Sequence, residues 1–127
     1  MSLTVLNGPI IEAGESLSDG LDLAGGDIVR ITCPAGWESA NLTFEISTDG
    51  NGYNPLFTPE GEEVMMVCTA GAAVVLREMY WSRAINFLKI RSGTRDNPYP
   101  QKERREFAIA VQAAPAVGGG LGGSGRR

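Results

Sequence analysis

Asn41-Leu-Thr-Phe-Glu-Ile-Ser47 alternates strictly: Leu42, Phe44 and Ile46 share one parity, Thr43, Glu45 and Ser47 the other. A period of two over seven residues marks a β-strand with one buried face. The same period recurs in both directions along the chain. Asp27-Ile-Val-Arg-Ile-Thr-Cys33 predicts Val29, Ile31 and Cys33 inward, with Arg30 and Thr32 outward. Asn86-Phe-Leu-Lys-Ile-Arg-Ser92 separates Leu88 and Ile90 from Lys89 and Arg91, and Arg105-Glu-Phe-Ala-Ile-Ala-Val111 groups Phe107, Ile109 and Val111. Glu63-Val-Met-Met-Val-Cys-Thr69 is apolar at both parities, which predicts a central strand. Weaker strand patterns lie at residues 4–6, 16–23, 53–57 and 73–76.

Turn formers divide these runs at short intervals: Ala24-Gly-Gly-Asp27, Pro34-Ala-Gly36, Asp49-Gly-Asn-Gly52, Pro59-Glu-Gly61 and Ser92-Gly-Thr94. Eight or nine short strands with regular turns predict an all-β antiparallel sandwich or jelly roll. A single helical turn fits residues 78–84, and no 20–50-residue period repeats. Beyond Gln112 the chain runs Ala-Ala-Pro-Ala-Val-Gly-Gly-Gly-Leu-Gly-Gly-Ser-Gly-Arg-Arg, with few side chains able to pack a core. The expected division is a sandwich domain at 1–112 and a flexible Gly-rich tail at 113–127, able to order on a partner.

The chain has 127 residues, enough for one domain. It contains no histidine, which removes Ser-His and Cys-His nucleophile pairs, a histidine base and histidine metal ligands. Cys33 and Cys68 form no CxxC motif, so zinc-site and redox-motif readings fail. No Walker or GxGxxG sequence occurs, and Ser92-Gly-Thr94 lacks the surroundings of a nucleophile elbow. Glu60, Glu62 and Glu63 flank a turn glycine, where solvated carboxylates outweigh acid–base chemistry. Thr48-Asp-Gly-Asn-Gly-Tyr-Asn54 begins like a calcium loop but lacks the later acidic ligands, so it reads as a tight hairpin. The expectation is a non-enzyme with no cofactor and no metal. The net charge of −4 argues against nucleic acid, and no apolar run approaches a membrane span. The first residues carry no secretory-signal pattern, which places synthesis in the cytoplasm.

Charge is segregated along the sequence. Residues 1–78 hold twelve of the fifteen acidic side chains against Arg30 and Arg77, whereas 79–127 hold nine of the eleven bases against three acids. Folding either presents two opposed charged surfaces or interleaves the halves and mixes the signs. Arg91, Arg95, Lys102, Arg104 and Arg105 form a basic belt, readable as a solvated face or as a docking surface for an acidic protein. Trp37, Tyr53, Tyr80 and Trp81 are candidates for an aromatic ligand face, with core or edge packing the plainer reading.

Two longer stretches carry a resemblance. One runs from Gly14-Glu-Ser-Leu-Ser-Asp-Gly-Leu-Asp-Leu-Ala-Gly-Gly-Asp-Ile-Val-Arg-Ile31 through Pro34-Ala-Gly-Trp37 to Ala40-Asn-Leu-Thr-Phe-Glu-Ile-Ser-Thr-Asp-Gly50. The other is Phe87-Leu-Lys-Ile-Arg-Ser-Gly-Thr94, then Pro100-Gln101 and the final strand to Val111. Over residues 8–112 their order resembles a family of small β-sandwich proteins encoded among the structural genes of tailed phages and prophages. That resemblance implies a virion component and supplies no catalytic residues. The two cysteines and the tail, with its terminal Arg126 and Arg127, depart from the family pattern. The expectation is a decoration or cement protein on the major capsid protein or another virion protein. It would be a dimer or trimer made in the host cytoplasm and assembled on the capsid surface. The belt arginines and lysine with Arg126 and Arg127 would be contacts. The alternative is a carbohydrate-binding or adaptor module of a tail or fibre. Cys33 shares parity with Val29 and Ile31, and Cys68 with Val64 and Met66. In the cytosol they read as two buried thiols; outside the cell they are expected to meet across the core or bridge to a partner, with a disulfide in the mature particle.

Overall fold

A computed structural model describes residues 3–76 and 85–112. Eight strands follow in order: β1 Leu3–Ile11, β2 Leu21–Asp22, β3 Asp27–Thr32, β4 Leu42–Ser47, β5 Asn54–Pro55, β6 Ala73–Val75, β7 Phe87–Ser92 and β8 Arg105–Gln112. They pair antiparallel in two four-stranded sheets, β1-β8-β3-β6 and β2-β7-β4-β5, and no helix forms among the described residues. This is the expected all-β sandwich. The helical turn at 78–84 and the tail at 113–127 lie outside the described residues.

The register explains why alternation buries one face of each sheet. Phe44 opposes Ile90 and Ile46 opposes Leu88 across β4 and β7, so their side chains share the inner face. In the other sheet Ile31 opposes Ile109 across β3 and β8. Phe44, Leu42, Leu88 and Ile90 from one sheet and Ile11, Ile31, Phe107 and Ile109 from the other are fully buried. Trp37 meets Phe107 edge-on, with ring centroids 5.4 Å apart at 63°. Each such aliphatic or aromatic side chain contributes roughly 1.5–3 kcal/mol by leaving water.

Three strand expectations need correction. In β3 the partner register steps from Ile28↔Val111 to Arg30↔Ala110, leaving Val29 as an extra residue. The bulge reverses the parity upstream, so Ile28 is buried where Val29 was expected. Residues 63–69 are an extended edge rather than a central strand. Val64 N–H bonds the Leu56 carbonyl, and Met66 exchanges N–H···O bonds with Leu42, all on one side. Val64, Met66 and Cys68 point into the core while Met65 and Val67 stand exposed. The pattern at 16–23 yields only β2 and an isolated bridge, Leu17↔Arg91. There the Ser18 hydroxyl accepts the Ile90 N–H, so a side chain replaces one step of the ladder.

Candidate functional site

Arg91 leaves the inner face of β7 yet is only 7% exposed. Its guanidinium lies beside Thr43 on β4, with Nη2 bonded to Glu45 Oε2 and Nη1 3.4 Å from Glu63 Oε2. The same Glu63 carboxylate accepts the Arg95 backbone N–H at 3.3 Å. Thr43 donates to the Gly93 carbonyl at 2.8 Å, and the Arg95 guanidinium sits 6.0 Å from the Phe57 ring centre. These bonds fasten the turns at residues 57–63 and 93–98 onto the outer face of the β2-β7-β4-β5 sheet. Of the three neighbouring glutamates, Glu63 is thereby engaged, while Glu60 and Glu62 face water.

A second polar knot forms around Gln101, which is fully buried. Its Oε1 accepts from Glu38 N–H and Arg105 Nε, and its Nε2 donates to Ser92 Oγ and the Glu38 carbonyl. The Glu38 carboxylate in turn receives Arg105 Nη2 at 3.3 Å and the Lys102 N–H at 3.0 Å. All hydrogen-bonding positions of the Gln101 amide oxygen and nitrogen are used, which a buried amide requires.

The basic belt is therefore divided. Arg91 and Arg105 turn inward and pair with carboxylates, whereas Arg95, Lys102 and Arg104 remain exposed. Among the described residues Arg104 has only long ionic contacts, 3.7 Å to Glu12 and 3.9 Å to Glu106, in a geometry worth little in water. Glu12, Glu38, Glu45 and Glu63 all come from the acid-rich half, so these pairs mix the two signs in space.

Trp37 is buried, and its indole N–H donates to the Ala40 carbonyl at 2.9 Å. Tyr53 lies beneath the Lys89 ammonium, 4.4 Å from ring centre to Nζ. Burial, then the charges of Asp49 and Asp19, push its hydroxyl above the ordinary tyrosine range. Tyr80, Trp81, Arg126 and Arg127 lie outside the described residues. The hairpin at 48–54 is closed by Asp49, whose carboxylate accepts from Asn51 N–H, Gly52 N–H and Ser47 Oγ. Those bonds, led by the two backbone N–H groups, hold it below the usual aspartate range. Cys33 and Cys68 stand at disulfide distance, with Cα atoms 6.1 Å apart. Among the described residues no group of three or more acidic or cysteine side chains is placed to hold a metal ion.

One feature escapes the sequence pattern. Phe107, Ile109 and Val111 fill the inner face of β8, so Ala108 and Ala110 lie on its outer face. Register places Val5, Ala110, Arg30 and Val75 in one row across β1, β8, β3 and β6. Asn7, Ala108, Thr32 and Ala73 form the adjacent row. Val5 and Val75 are exposed at the two edges, and Ala110 lies low between Val5 and Arg30, only 1% exposed. Arg30 is half-buried, its Nε has no hydrogen-bond partner, and it forms no ion pair among the described residues. Alanine and valine at outward positions were visible in the sequence; the missing counter-charge was not. No protein-family model matches the chain, and no curated protein sequence matches it.

Proposed function

We propose that the chain is a non-enzymatic structural protein of a tailed-phage virion, a decoration or cement protein that docks on the major capsid protein. It is made in the host cytoplasm and added to the capsid surface as a dimer or trimer. Leu3, Val5 and Val75 on one sheet, and Phe57, Met65 and Val67 beside the other, expose large apolar side chains, while Arg91 and Arg105 are tied to carboxylates by internal bonds. Exposed apolar side chains on the two sheets suit burial against another protein, and they carry the reading. The cysteine pair at disulfide distance fits a particle that leaves the reducing cytosol, where a bridge would lock the fold.

The carbohydrate-binding alternative loses one member of its aromatic face, because Trp37 packs against Phe107 instead of facing solvent. Quantitative mass spectrometry of purified particles tests the proposal. The expected result is this chain at a fixed ratio to the major capsid protein; its absence from particles refutes the proposal.

A further inference from the structure

Among the described residues three guanidinium groups lie against the body of the sandwich, and two of them pair with carboxylates. Arg91 has Glu45 and Glu63, and Arg105 has Gln101 and Glu38. Among the described residues only Arg30 has a buried Nε with no acceptor. A buried donor left unpaired costs about 1–3 kcal/mol, so a fold that keeps one is incomplete at that point unless something else supplies the acceptor. The surroundings narrow what that is. Arg30 sits in the row Val5–Ala110–Arg30–Val75, beside the row Asn7–Ala108–Thr32–Ala73. The side chains are small and the face contains no carboxylate in either row. Arginine set among short apolar side chains is the composition of an interface centre rather than of a solvated sheet face.

Resting on the docking role proposed above, we infer that the outer face of the β1-β8-β3-β6 sheet is the docking surface, and that its occupant is a different protein presenting a carboxylate within an apolar segment to Arg30. A second copy fits less well. A two-fold axis centred on the Arg30 row would set two Arg30 guanidinium groups against each other, and the acidic residues among the described strands of this sheet, Asp27 and Glu106, lie at strand ends. An incoming carboxylate accepts from the guanidinium fork, while Val5 and Val75 at the edges close over the contact and exclude water.

The experiment uses the full-length protein with Arg30→Leu, Arg30→Lys and Val75→Glu variants. Each is melted alone, sized in solution, and titrated onto capsid shells assembled without the protein. Arg30→Leu is expected to melt at or above the wild-type temperature, since it removes an unpaired donor, and to bind shells about thirty-fold or more weakly. Arg30→Lys should bind at an intermediate level, because it keeps the charge and loses the fork. Val75→Glu, at a position 66% exposed, should leave the melt unchanged and weaken binding. A fall of more than about 5 °C in the Arg30→Leu melt would show a partner inside the fold and overturn the inference. Shell binding by Arg30→Leu and Val75→Glu within two-fold of wild type would overturn it too, as would a wild-type oligomer that dissociates on either substitution. Wild-type protein that fails to bind shells defeats the docking role itself and the inference with it, whereas equal binding by all variants defeats only the choice of face.

Discussion

Replacing Arg91 with methionine tests whether the outer face of the β2-β7-β4-β5 sheet is held by charge pairing. Methionine keeps most of the side-chain length and can fill the space over Thr43. It leaves Glu45 and Glu63, whose side chains are only 19% and 13% exposed, facing each other without their cation. Removing one partner of a buried ion pair costs about 3–5 kcal/mol. Partial access of water to both carboxylates reduces this to about 2–4 kcal/mol. For a domain of this size each kcal/mol shifts the melting temperature by roughly 4 °C, so a loss of about 8–16 °C is expected. The triple variant Arg91→Met, Glu45→Gln, Glu63→Gln removes the stranded charges and should recover to within about 1 kcal/mol of wild type. Urea denaturation of the single, double and triple variants gives the coupling directly. A single variant within 1 kcal/mol of wild type, or a triple variant no more stable than the single, would refute the reasoning.

Gly93→Ala should cost about 2–4 kcal/mol in the same urea assay. Gly93 has φ +86°, and an added Cβ would lie 2.5 Å from the Asn97 carbonyl oxygen and 2.7 Å from the Tyr99 nitrogen, both backbone atoms unable to swing away; a loss below 1 kcal/mol contradicts this. A bridge between Cys33 and Cys68 closes a separation of 35 residues, so reduction should lower stability by about 3.8 kcal/mol. Melts identical with and without reductant would rule the bridge out. Asp49 has its folded-state pKa depressed below 3.8, so its contribution is present above that value and is lost as pH falls through the folded one. Asp49→Asn should therefore flatten the stability profile below about pH 4, and a carboxyl resonance titrating at or above 3.8 would disprove the assignment.

Local alternation carried the strands whose pairing is regular. Phe44 and Ile90 could be placed inward because nothing interrupts the ladder on which they sit, and Phe107 and Ile109 because β8 keeps its own alternation while the shifts fall on its neighbours. It misplaced Val29 because a bulge changes parity without leaving a mark in composition. It also read residues 63–69 as central, since Met65 and Val67 look like core side chains and only the pairing geometry leaves them outside. The charges were the least legible part. Arg91 meets Glu45 and Glu63 from 46 and 28 residues away, and Arg105 meets Glu38 from 67. No local window contains such pairs, so a belt in the sequence became two buried anchors and three exposed cations. Arg30 shows the converse: an ordinary outward residue by alternation, distinguished by the acceptor its Nε lacks among the described residues.

The position of β8 also has a bearing on timing. It lies between β1, the first of the described strands, and β3, and it completes the ladder of both. While β8 is still being synthesised, β1 has no hydrogen-bonding neighbour in its sheet and the inner faces of β3 and β4 have nothing from Phe107 or Ile109 to close over them. Cooperative folding must therefore wait for the end of the domain, in the slow manner of proteins dominated by long-range pairing. A ribosome stalled before Arg105 would hold a nascent chain with open strand edges and uncovered apolar side chains, suited to chaperone capture and to premature association with its neighbours.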